Sequence, residues 1–163
     1  MFRGFKDYCS AAARNGVAWI PELITDTQPL MDATTTPRLR PAALLVEDEA
    51  LVAMVAEDSL HEIGFETIVV SNAAGAIGAL ENGAKPVLAV VDVGLPDERG
   101  DVLARRLRIL APDLKIIIAS GYDEADLRAR FIGDASIAVL GKPYTQDDLT
   151  RVAAALGVEL PPR

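Results

Sequence analysis

The stretch VLAVVDVGLPDERG, Val87–Gly100, decides the fold. Val87–Val91 is an unbroken apolar run of the kind found in a strand covered on both faces. Asp92 ends it. Gly94, Pro96 and Gly100 then break the chain into a loop. Asp101–Leu110 resumes at helical spacing, with Val102, Leu103, Leu107 and Leu110 predicted inward and Ala111-Pro112 as the stop. A buried strand, an acid at its carboxyl end, a loop and a helix make up a strand–helix unit of a parallel sheet.

The same unit recurs on both sides. Upstream, Ala42–Val46 (AALLV) reads as a strand ended by Glu47-Asp48-Glu49. Ala50–Ile63 follows as a helix with Leu51, Met54, Val55, Leu60 and Ile63 close to one face, and Gly64 as its stop. Thr67–Val70 is a second strand, and Ala73–Leu80 an Ala-rich helix stopped by Asn82-Gly83. Downstream, Leu114–Ala119 (LKIIIA) is the fourth strand and Asp123–Phe131 a helix. Ile137–Leu140 is the fifth strand and Thr145–Leu156 the last helix, with Thr145 as N-cap and Asp147 and Asp148 in the first turn. The order is (βα)₅, which predicts an α/β fold: a doubly wound, five-stranded parallel sheet with helices on both faces.

The 163 residues carry 16 Lys/Arg against 24 Asp/Glu, a net charge of −8, and half are hydrophobic. Residues 1–40 are near neutral, so the acidity belongs to residues 41–163. A Thr- and Pro-rich stretch, Thr25–Pro41, separates the two and reads as linker. The expected organisation is therefore an extension over 1–40, either a short helix or disordered, and a domain over 41–163. Net acidity argues against nucleic acid and anionic membrane as partners. One Cys and one His exclude an internal disulfide and a multi-Cys or His-rich metal site. No apolar run approaches the roughly 20 residues of a membrane helix, and the N-terminus lacks a signal-peptide core. A cytoplasmic setting is expected.

In an open parallel sheet, ligands bind beyond the carboxyl ends of the strands, near the switch in strand order. Those ends here carry Glu47, Asp48 and Glu49 after strand one, Asp92 after strand three, Ser120 after strand four, and Lys142 and Pro143 after strand five. Each alone has an ordinary explanation as a helix cap, a turn residue or a solvated charge. Together they set carboxylates, a hydroxyl and an amine on one rim. Oxygen donors without His or Cys suit Mg²⁺ over Zn²⁺. A lysine and a hydroxyl suit a phosphoryl group.

These residues resemble a response-regulator receiver domain of the CheY-like, flavodoxin-like fold. LLVEDE (Leu44–Glu49) resembles the acidic end of its first strand, and VVDVGLPDERG (Val90–Gly100) its phosphoacceptor segment. IIIASGY (Ile116–Tyr122) resembles its Ser/Thr segment, and GKPY (Gly141–Tyr144) its Lys-Pro segment. The resemblance spans about residues 41–157. It implies that Asp92 takes a phosphoryl group from the phosphohistidine of a sensor histidine kinase or histidine phosphotransfer protein. It implies Mg²⁺ on Asp48, Asp92 and the carbonyl of Gly94, with Glu47 acting through a water. It further implies that Lys142 and Ser120 contact the phosphoryl oxygens, and that Lys142-Pro143 is cis. The chain is then not an enzyme acting on other molecules, beyond catalysing its own phosphotransfer and autodephosphorylation.

There are departures. Receiver domains usually carry Tyr or Phe three residues before the lysine, where this chain has Val139. Ala119-Ser120-Gly121-Tyr122 partly resembles the variant FAT GUY subfamily, named for Phe-Ala-Thr-Gly-x-Tyr, which also lacks that aromatic. Tyr122 is therefore read as taking over part of the switching role. Only Gly157–Arg163 follow the last helix, so a stand-alone receiver is expected, signalling by protein contact or draining phosphate from a kinase. The alternative is a phosphatase or hydrolase forming an aspartyl-phosphate, but such enzymes usually place an acid two residues after the nucleophile, where Gly94 stands. A flavin module would need a hydroxyl- and Gly-rich loop in place of Glu47-Asp48-Glu49. His61, in the first helix, is expected at the surface or in a helix C-terminal role.

Overall fold

The computed structural model describes residues 40–121 and 124–160. Tyr122, the extension over 1–39 and the last three residues lie outside them. Five strands alternate with five helices: β1 Ala42–Val46, α1 Ala50–Ile63, β2 Glu66–Val70, α2 Ala73–Glu81, β3 Leu88–Asp92, α3 Gly100–Leu110, β4 Lys115–Ser120, α4 Glu124–Arg130, β5 Ile137–Gly141 and α5 Gln146–Ala155. All strand pairs are parallel, in the order β2-β1-β3-β4-β5. This is the doubly wound sheet expected. Among the described residues no helix is long and apolar enough to cross a membrane.

Alternation along the strands builds two cores from one sheet. Ala43, Leu45, Leu88, Val90, Ile117 and Ala119 face α1 and α5. Leu44, Val46, Ala89, Val91, Ile116 and Ile118 face α2, α3 and α4. Both sets are buried, so every residue of Leu88–Val91 must be apolar. β1 pairs with β2 on one side and β3 on the other. The chain thus reverses its winding between β1 and β3, and the crevice that this opens lies between Val46 and Asp92.

Two helix faces differ from expectation. α1 turns Ala53, Ala56, Leu60 and Ile63 inward, while Leu51, Met54 and Val55 are 78%, 61% and 67% exposed. Alanines let the helix approach the sheet closely, so the smaller side chains define the buried stripe. α3 likewise buries Leu103, Ala104 and Leu107 and leaves Val102 and Leu110 exposed. Several boundaries also move by one residue, which draws Asp92 and Ser120 into their strands and Gly100 into α3.

The helix signals hold. Gly64 closes α1 in the left-handed region, φ 108°. Thr145 and Asp148 form a reciprocal capping box on α5. His61 lies exposed in the last turn of α1, where its Nε2 accepts from Arg40 Nη1 at 2.8 Å.

Candidate functional site

Three strand ends meet at one amine. Lys142, just past β5, places Nζ 2.6 Å from Glu47 Oε2 and 2.6 Å from Asp92 Oδ1. Its own N–H donates to the carbonyl of Ser120 at 2.7 Å, continuing the β4–β5 ladder and fixing the root of the side chain. Glu47 is buried, Asp92 half-buried and Asp48 exposed. Burial pushes the Glu47 carboxyl above its ordinary value, and nearby Asp92 adds to this against the opposing pull of Lys142. Burial works against the charge on Lys142, yet its hydrogen bonds to Asp92 and Glu47 win and raise its pKa.

Asp92 is held from the other side by Gly94, whose N–H donates to Oδ2 at 2.7 Å. A Cβ at position 94 would lie 3.1 Å from that oxygen, so glycine leaves the carboxylate open. Glu47, Asp48 and Asp92 each offer one oxygen, all within 4.8 Å of one another. Octahedral ligands at about 2.1 Å from a small hard cation lie roughly 3 to 4.2 Å apart, so a slight contraction of this trio fits such an ion. The cleft lined by Asp48 and Asp92 has a volume of about 490 Å³, and Ser120 and Gly121 lie on its wall. Glu47, Asp48, Asp92, Gly94, Ser120 and Lys142 are therefore brought together as expected. Val139, at the place of the usual aromatic, is buried in the core on the α4 side of the sheet.

Two features escaped the sequence reading. Gly100 looked like a loop breaker, but a Cβ there would lie 2.0 Å from the carbonyl oxygen of Asp92. The N-terminus of α3 packs directly on the backbone of β3, and the Gly100 N–H donates to the Val93 carbonyl at 3.0 Å. The other is a buried carboxylate, Asp101, which accepts from Arg99 Nε at 2.9 Å and from Arg130 Nη1 at 2.8 Å. Burial opposes its charge, but the two arginines outweigh this and hold it below the usual carboxylate range. A helical projection would have flagged it, because Asp101 falls three residues before inward-facing Ala104. The intervening loop is anchored by Asp97, whose two oxygens accept from the Ala73 and Ala74 N–H groups at the start of α2, each at 3.0 Å.

The family model of the response regulator receiver domain matches residues 43–154. The chain belongs to the response regulator receiver family. The receiver is 36% identical over 110 residues to the sensor kinase CckA of Brucella abortus, a match covering 65% of this chain and 11% of CckA. It is 27% identical over 119 residues to the photosynthetic apparatus regulatory protein RegA of Rhodobacter capsulatus, covering 73% of this chain and 64% of RegA. Such curated relatives are thus spanned only in part. Among solved structures, a receiver protein from Sinorhizobium medicae superposes with a TM-score of 0.65 at 30% identity, over 72% of this chain and 95% of that one.

Proposed function

We propose that Asp92 is the phosphoacceptor of a two-component phosphorelay. One observation carries the reading: Lys142, which lines a cleft with Asp48, Asp92 and Ser120, joins Asp92 and the buried Glu47 at 2.6 Å each. An Asp92 oxygen attacks the phosphorus of a phosphohistidine. The O–P bond forms as the N–P bond breaks, and its electron pair stays on the imidazole. Asp48, Asp92 and the Gly94 carbonyl, with Glu47 behind, would hold Mg²⁺, which would supply charge neutralisation for the transferred group. Lys142 turns from its carboxylate partners to the incoming oxygens, and the Ser120 hydroxyl donates to them. Gly94 brings an amide and no side-chain acid to Asp92, which supports an acceptor over a dedicated hydrolase.

The donor is a sensor histidine kinase or a histidine phosphotransfer protein. The exposed Leu51 and Val55 of α1 border a groove of about 600 Å³ with Lys142, Pro143 and Tyr144, at the mouth of the site. An apolar patch of this kind marks a protein contact. Output follows by the same means, through contact of the receiver's surface with another protein. Incubation with acetyl phosphate and Mg²⁺ followed by intact mass tests the core of the reading. One phosphoryl should be gained, and none in Asp92→Asn. No gain in the natural protein would remove the function while leaving the fold.

A further inference from the structure

Two arginines not named in that chemistry stand on the wall of the same cleft. Arg99, at the N-cap of α3, and Arg130, the last residue of α4, line it together with Asp92, Ser120 and Lys142. Both are held by one carboxylate. Arg99 donates to Asp101 Oδ1 and Arg130 to Asp101 Oδ2, so each carboxylate oxygen is engaged by a different guanidinium. The Asp101 side chain is 5% exposed, those of Arg99 and Arg130 60% and 51%. A guanidinium carries five N–H donors, and these ion pairs leave others of each arginine available at the cleft.

Charge follows the same pattern. Lys142 is committed to two carboxylates, Glu47 and Asp92. Arg99 and Arg130 share Asp101, and Asp126 is the further carboxylate that α4 brings to this wall. Phosphorylation of Asp92 would bring a group of charge about −1.5 to −2 and three acceptor oxygens into that space. Guanidinium forks match phosphoryl oxygens well, and side chains already held beside the cleft lose little freedom on engaging them.

We propose that Arg99 and Arg130 are positioning residues for the phosphoryl group on Asp92, held ready by the buried Asp101 carboxylate and binding the phosphoryl oxygens through the N–H groups it leaves free. This rests on Asp92 being the acceptor. Because Arg130 ends α4, the contact also ties that helix to the state of Asp92.

The test compares the natural protein with Arg99→Gln, Arg130→Gln and the double variant. Arg106→Gln is the control, since Arg106 pairs with Glu98 at 2.9 Å and is absent from this cleft. Two quantities are read well below the melting temperature: phosphoryl uptake from acetyl phosphate with Mg²⁺, and affinity for beryllium fluoride with Mg²⁺. Loss of a charge-assisted hydrogen bond to the bound group corresponds to a weakening of roughly tenfold in each single variant. The double variant should lose more and the control nothing, with Mg²⁺ affinity alone unchanged throughout. A purely structural role would lower the melting temperature but leave uptake and beryllium fluoride affinity as in the natural protein, and that result overturns the proposal. If the natural protein gains no phosphoryl, or Asp92→Asn still gains one, the acceptor reading itself fails and this one with it.

Discussion

Gly100→Ala is a small change with a calculable effect. The added Cβ would sit 2.0 Å from the Asp92 carbonyl oxygen, 2.8 Å from its carbon and 3.0 Å from the Val93 Cα. All three are backbone atoms, so no side chain can swing aside. Gly100 is not among the glycines with positive φ, so alanine meets no conformational penalty and the cost is steric. Forcing a methyl group into packed backbone costs about 1–3 kcal/mol, here toward the upper end. Better helix propensity returns a fraction of about 1 kcal/mol at this first helical position. The net loss is about 2 kcal/mol, or a fall of roughly 8 °C in melting temperature for a domain of this size. The strain is relieved by moving β3 or α3, and the displaced residue is Asp92, so phosphoryl uptake should slow as well. Gly78→Ala is the matched control. Gly78 lies within α2 with open space around its Cβ position, so this change should stabilise by up to about 1 kcal/mol. Melting curves with and without acetyl phosphate decide the matter. A Gly100→Ala protein as stable as the natural one, with unaltered uptake, would refute the close approach.

Lys142→Met removes the cation between Glu47 and Asp92 and leaves two carboxylates facing each other, one only 2% exposed. Stability at neutral pH should fall by about 2–3 kcal/mol, with Mg²⁺ restoring more of it than it adds to the natural protein. Denaturant titrations with and without Mg²⁺ measure this, and equal metal stabilisation of both proteins would contradict it. Asp148 is held at about 2 by its hydrogen bonds to Thr145, and also by Arg151. A carboxylate depressed in the folded state stabilises above its unfolded pKa, and that contribution is lost as pH falls through the folded one. The α5 cap should therefore survive at pH 3. A carboxyl-carbon NMR titration of Asp148 with its midpoint near the ordinary 3.8 would count against the capping box.

The residues of the candidate site were legible because strand ends are. An apolar run that stops at an acid states both the strand and the position of the acid, and the four ends at Glu47, Asp92, Ser120 and Lys142 needed only the parallel topology to converge. The helix faces were less legible. Counting large apolar residues put Leu51, Met54 and Val55 inward, whereas close packing on the sheet selects Ala53 and Ala56. Gly100 and Asp101 were illegible for a different reason. Their roles depend on what a neighbouring element brings, the β3 backbone in one case and Arg130 from α4 in the other. No local pattern encodes such a partner, although a charged residue in an inward helical sector is a usable warning.

The bond from Lys142 to Glu47 joins residues 95 positions apart in the chain. Its lysine follows β5, the last strand made and an edge of the sheet, while its acid follows β1. Contacts of such separation form late, after the loop-closure entropy has been met by the rest of the sheet. An emerging or half-folded chain therefore carries Asp92 without the amine that completes its pocket. The pocket around Asp92 is thus complete only once β5 has joined the sheet.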